Sequence, residues 1–150
     1  MMELDTQAQE PKQKSTMNDR ELTELLKSAK TIAVVGLSSN RMRASFGVSR
    51  FLQRHGYRVI PVNPNETEVL GEHAYRSVKE VPDQVDIVDI FRRSSAVSDV
   101  VDDALEKSGV RCIWMQEGVL NHEAAKKAEY AGIPVVMNRC ILKELARLLP

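Results

Sequence analysis

No stretch of about eighteen consecutive apolar residues occurs in this chain, so a membrane-spanning helix is not expected. The opening MMELDTQAQEPKQKSTM has no apolar core and cannot work as a secretory signal. Cysteine is almost missing. Cys112 and Cys140 are too few for a disulfide scaffold, and a reducing cytosol is the expected setting. His55, His73 and His122 are scattered, and no ligand pair stands at metal spacing, which argues against zinc. Surplus charge is absent too: 21 Lys and Arg balance 21 Asp and Glu. The surface as a whole therefore offers no bulk attraction to nucleic acid, and any anion site must be local.

What remains is a soluble globular composition, 43% hydrophobic and 28% charged over 150 residues, enough for one well-buried domain. Residues 1–17 are polar, rich in Gln and Lys, and are expected to form a disordered tail. The folded domain is expected over 18–150. Asn18 opens it as a helix cap with Glu21 at the capping-box position, and Leu22, Leu25, Leu26 and Ala29 form a core-facing stripe.

Apolar strands then alternate with helical patterns. Strands are expected at Thr31–Gly36, Tyr57–Val62, Asp86–Phe91, Val110–Gln116 and Ile133–Met137, with an irregular crossover over 65–84. Ser94 or Ser95 is expected to cap the helix after the third strand, and Asn121 the helix after the fourth. Five near-continuous apolar strands demand an α/β fold, a doubly wound parallel sheet covered on both faces. The expected strand order is 3-2-1-4-5. Ligands of such folds bind beyond the carboxyl ends of the strands. The segments that land there are Gly36–Ser45, Asn63-Pro64, Phe91-Arg92-Arg93, Gln116-Glu117-Gly118 and Asn138-Arg139-Cys140.

The loop after the first strand carries the most chemistry. It lacks the dinucleotide fingerprint G-x-G-x-x-G, since the glycine following Gly36 is Gly47. Strand two ends in Asn63-Pro64 where a ribose-binding acid would stand, so NAD is disfavoured. A Walker loop is absent as well. In their place stand Ser38, Ser39, Arg41, Arg43 and Ser45 before a helix, where unpaired backbone N–H groups and the helix dipole favour anions. Hydroxyls and two guanidiniums there suit a ligand with several phosphates. The same residues would also serve an ordinary solvated loop, with Ser45 a plain helix cap; their place at the mouth of strand one favours phosphate.

Other strand ends admit two readings each. Phe91 could stack on a base or belong to the core, while Trp114 reads as structural. Gln116 and Glu117 could bond an amide-rich ligand arm or cap the next turn. Cys112 reads as an inert core residue. Cys140, beside Arg139 at the start of the last helix, is where a thiolate would be stabilised, against the alternative of a buried packing thiol. No paired carboxylates, nucleophile elbow or histidine beside a nucleophile accompanies them.

In order and spacing, GLSSNRMRASFGVSRFLQRHGYRVIPVNPN, VDIVDIFRRS, WMQEGV and AGIPVVMNRC resemble the motifs of small stand-alone CoA-binding domain proteins. Those proteins are similar to the N-terminal CoA-binding domain of the succinate–CoA ligase alpha subunit. The resemblance runs from about Thr31 to Leu145. It implies a Rossmann-like domain that binds coenzyme A or an acyl-CoA without a reaction of its own. By that likeness Ser38, Ser39, Arg43 and Ser45 would meet the CoA phosphates, and Asn63-Pro64 and Phe91-Arg92 would flank the adenosine end. Met115-Gln116-Glu117-Gly118 matches the ligase's T-E-G segment at the pantetheine arm. Asn138-Arg139-Cys140 matches its P-N-C segment or the stand-alone family's D-R-C, and Asn138 departs from the usual Asp. The ligase's phosphorylated histidine belongs to a later domain, which this chain is expected to lack. Two other functions stay open: a small NAD(P)-dependent oxidoreductase, and a CoA-sensing regulatory or interaction module. The expected partner is the small molecule, with no nucleic acid and no membrane.

Overall fold

The computed structural model describes residues 14–150; of the tail expected over residues 1–17, residues 1–13 lie outside them. Lys14 and Ser15, expected to belong to that tail, instead join the sheet. Lys14–Ser15 forms strand β1, antiparallel to the last strand, and Thr16 N–H donates to Val135 O at 2.9 Å. An open sheet edge offers unpaired backbone groups, and these few residues satisfy them. Helix α1 (Asp19–Ser28) starts as expected. Asn18 Oδ1 accepts from Glu21 N–H, and the Glu21 carboxylate accepts from Asn18 N–H.

Strand β2 (Thr31–Val35), helix α2 (Ala44–Arg54) and strand β3 (Arg58–Val62) make the first βαβ unit. The crossover holds a small hairpin, β4 (Glu68–Val69) with β5 (Glu72–His73), and a 3-10 turn at Val78–Glu80. Then follow β6 (Ile87–Ile90), α3 (Val97–Leu105), β7 (Cys112–Met115), α4 (His122–Tyr130), β8 (Val135–Met137) and α5 (Ile141–Leu148). Asn121 caps α4 through Ala124 N–H. Ser94 does not cap α3, which begins from a 3-10 turn; its hydroxyl accepts from Leu120 N–H across the layer.

The large sheet runs β1-β8-β7-β6-β2-β3. Its five parallel strands, numbered along the chain, therefore lie in the order 2-1-3-4-5, a doubly wound α/β sheet but not the expected 3-2-1-4-5. The reason is legible in β3. Pro61 has no N–H to give a ladder, so its strand belongs at an edge, and β6, which has no proline, takes the interior place beside β2. Tyr75 covers part of the β3 edge, with its N–H on Pro61 O at 3.0 Å.

Two apolar layers sandwich the sheet. One holds Leu22, Leu25 and Leu26 of α1, Phe46 and Leu52 of α2, and Ile141 and Leu145 of α5. The other holds Val97, Val100 and Val101 of α3 with Ala124, Ala125 and Ala128 of α4. With β2 and β6 adjacent, the switch point falls between their carboxyl ends. The site must be sought there.

Candidate functional site

At the ends of β2, β3 and β6 the ladder continues one residue beyond the strands. Gly36 N–H donates to Val62 O and Phe91 N–H to Val35 O, both at 2.8 Å. Gly36 has φ +91°, and a Cβ there would lie 2.8 Å from Phe91 O. Only glycine lets the loop leave the sheet pressed so closely against the end of β6.

Above this turn opens a cleft of about 350 Å³. Gly36, Ser38 and Arg43 line it from the loop, Asn63 and Pro64 from the end of β3, and Phe91 and Arg92 from the end of β6. Seven expected site residues thus converge. Neither the Arg43 nor the Arg92 guanidinium has an ion-pair partner among the described residues. Two further residues of the wall escaped the sequence reading, Asn65 and Glu66. Their one signal was position, directly after Asn63-Pro64.

The loop is wired differently from expectation. Several of its N–H groups are already engaged within the protein. Ser38 N–H donates to Ser45 Oγ at 3.2 Å, Asn40 N–H to Ser38 Oγ at 3.0 Å, and Met42 N–H to Asn40 Oδ1 at 2.9 Å. Ser39 gives both its N–H, at 2.9 Å, and its hydroxyl, at 3.0 Å, to Glu66 Oε2. Ser45 is not a helix cap. It lies buried in the first turn of α2 and braces the loop, while Arg43 takes the cap position without a side-chain capping bond. Arg41 lies outside the cleft, its guanidinium 5.7 Å from the centre of the Phe46 ring.

Asn63 is spent on bracing: Nδ2 donates to Leu37 O at 3.0 Å, and Oδ1 accepts from Asn65 N–H at 2.9 Å. Phe91 packs against the core and also lines the cleft.

Gln116, Glu117, Gly118 and Cys140 form a second group, at the ends of β7 and β8, and do not line this cleft. Gln116 Oε1 accepts from Ile141 N–H at 3.0 Å and so caps α5 rather than the next turn. Glu117 pairs with Lys143 at 2.9 Å, and that hydrogen bond pushes the Lys143 ammonium to hold its proton more tightly. Gly118 N–H donates to Asn138 Oδ1 at 2.7 Å. Asn138 itself sits at φ +61°, a left-handed conformation that Asn tolerates. Cys140 is the N-cap of α5 and 8% exposed.

Trp114 is fully buried, with its indole N–H on Arg139 O at 2.8 Å. Cys112 is fully buried as well, and burial pushes its thiol far up, as expected of an inert core residue. Asp89, in the middle of β6, was not singled out, although an acid inside an otherwise apolar strand is an anomaly. It is fully buried, neither carboxylate oxygen has a hydrogen-bond partner, and burial raises it well above the usual carboxylate range. No group of three His, Cys, Asp or Glu able to hold a metal occurs among the described residues. A larger cavity of about 530 Å³ lies at the other edge of the sheet, beside Met17, Arg20 and Arg111, away from the strand ends just described.

Fold and cleft together define a Rossmann-like α/β domain with a basic pocket at its topological switch point. The chain belongs to the CoA binding domain family, whose model matches residues 30–146. It is 42% identical over 121 residues to an uncharacterized protein, YneT, of Bacillus subtilis, covering 81% of this chain and 89% of that protein. It is 38% identical over 120 residues to the alpha subunit of an ADP-forming acetate–CoA ligase II of Pyrococcus furiosus, covering 73% of this chain but only 26% of that subunit. A solved structure of a hypothetical protein from Pyrococcus horikoshii superposes with a TM-score of 0.87 at 40% identity, over 90% of this chain and 94% of that one. No helix among the described residues is long and apolar enough to cross a membrane.

Proposed function

We propose that this protein binds coenzyme A or an acyl-CoA at the carboxyl edge of its sheet, as a binding protein without a reaction of its own, in a reducing cytosol. The observation that carries it is the cleft at the β2–β6 switch point, which Arg43 and Arg92 both line without ion-pair partners among the described residues. The diphosphate would lie there, over Gly36 and Ser38, with Pro64 and Phe91 as apolar walls toward the adenosine end. The pantetheine arm would run across the end of β6 to Gln116-Glu117-Gly118, placing its thiol near Cys140. NAD fits less well, because both polar atoms of Asn63 are already engaged and no acid ends β3.

Calorimetric titration with CoA, acetyl-CoA, NAD and ATP tests the proposal. CoA and acetyl-CoA should bind and NAD should not. Arg43→Ala should weaken CoA binding about tenfold or more, the loss of one charge-assisted hydrogen bond of about 1.5–3 kcal/mol, with the apo melting temperature nearly unchanged. Tight NAD binding with no CoA heat would overturn it.

A further inference from the structure

We infer that Glu66 is a built-in anion that holds the Ser39 donors at the cleft wall when no ligand is present and must give them up before a phosphate can take them. The inference rests on the proposed phosphate site and adds its regulation. Three observations carry it. First, both donors of Ser39 converge on one oxygen, Glu66 Oε2, at 2.9 and 3.0 Å. One N–H and one hydroxyl meeting on one anionic oxygen is the pattern a phosphate oxygen would draw from this loop. Second, Glu66 lines the same cleft as Arg43 and Arg92. Its single negative charge therefore cancels half of the positive charge the two guanidiniums bring. Third, its turn is braced from below, with Glu66 N–H on Asn63 O at 3.2 Å and Asn65 N–H on Asn63 Oδ1 at 2.9 Å. The side chain is only half-buried, so it can rotate away while the turn stays.

A contact of this kind does not strengthen binding; it sets a threshold. With Glu66 on Ser39 those donors are withheld from a ligand, and the apparent affinity falls by the fraction of molecules in which Glu66 has left them. A ligand with several phosphates gains Arg43, Arg92 and the Ser39 donors together and can displace the carboxylate. A singly charged anion gains less and is excluded. Glu66 would thus select for polyphosphate ligands over small monoanions.

The test compares wild type with Glu66→Ala and Glu66→Gln, titrated with inorganic pyrophosphate and, separately, with CoA. Glu66→Ala should bind both about tenfold more tightly, and Glu66→Gln should gain less, because its amide oxygen can still accept from Ser39. In wild type, carbon-13 NMR of the Glu66 carboxyl should show it released from Ser39 on saturation with pyrophosphate, a readout that needs no variant. Pyrophosphate tightening without CoA binding in any protein would leave the inference standing and remove the CoA proposal. CoA binding that is equal or weaker in Glu66→Ala would overturn the inference and leave the CoA proposal intact. Absence of pyrophosphate binding in all three proteins, or a Glu66 still held by Ser39 in the complex, would overturn the inference.

Discussion

Asp89→Asn should change how stability depends on pH. Asp89 is on the central strand β6, with Val34 and Trp114 as its register partners, both in the layer covered by α1, α2 and α5. Its side chain is 0% exposed and both oxygens lack partners, as does the hydroxyl of Ser49, which is buried on α2 in that same layer. Burial without hydrogen bonds disfavours the charged form and raises the carboxyl well above its ordinary 3.8. The folded protein therefore keeps this proton at pH values where the unfolded chain has lost it. Stability must fall as pH rises from about 4 toward the folded-state value, by up to about 1.4 kcal/mol per unit from this one group.

Asn mimics the protonated acid in shape and in carrying both a donor and an acceptor, and it does not titrate. Urea unfolding of both proteins at pH 5, 6, 7 and 8 gives the difference directly. Asp103, also raised by desolvation, is common to both and cancels. Cys112 stays protonated throughout. Wild type should lose stability relative to Asp89→Asn as pH rises. Parallel profiles would refute the reasoning, since they would require a carboxyl as well solvated folded as unfolded.

Two further expectations concern the backbone and the thiols. Gly36→Ala should destabilise by about 1–3 kcal/mol, because it combines a left-handed φ with a Cβ 2.8 Å from Phe91 O, whereas Gly47→Ala, in open space within α2, should stabilise by about 0.5–1 kcal/mol; thermal melts of the pair check both. With CoA disulfide, Cys140 rather than Cys112 should exchange, its sulfur bonding to one CoA sulfur as the other CoA leaves as thiol; peptide mass spectrometry locates the adduct, and one on Cys112 alone would refute it.

Much of the fold could be read from the chain because it is written in continuous apolar runs: TIAVV, VDIVDI, CIWM and PVVM each need cover on two faces. Caps with a specific geometry, Asn18 and Asn121, were legible for the same local reason. Pairings of two residues, β1 with β8 and β4 with β5, leave no periodicity and could not be read. Strand order was the avoidable miss. Pro61 announces an edge strand, and 3-2-1-4-5 would have placed it inside the sheet. The loop residues were found, but not their wiring. Whether Ser45 caps a helix or braces Ser38, and whether Ser39 faces solvent or Glu66, depends on contacts across 7 and 27 residues that no local pattern encodes.

The corrected order also decides which residues can share a ligand. In 3-2-1-4-5 the loop after the first strand would border the end of the fourth, and Gln116 would adjoin Arg43. In the observed order β6 stands between β2 and β7, so Phe91 and Arg92 take that place. Strands pair about 4.8 Å apart, which sets the end of β7 about 10 Å from the end of β2. A compact ligand in the cleft cannot reach Gln116, Gly118 or Cys140. Only an elongated one, anionic where it meets Arg43 and Arg92 and uncharged where it crosses toward the capped start of α5, could use both groups of residues. Coenzyme A has that shape, and inorganic pyrophosphate does not. Substitutions near Gly118 should therefore weaken CoA while leaving pyrophosphate unchanged, and equal effects on the two would mean that the arm takes another path.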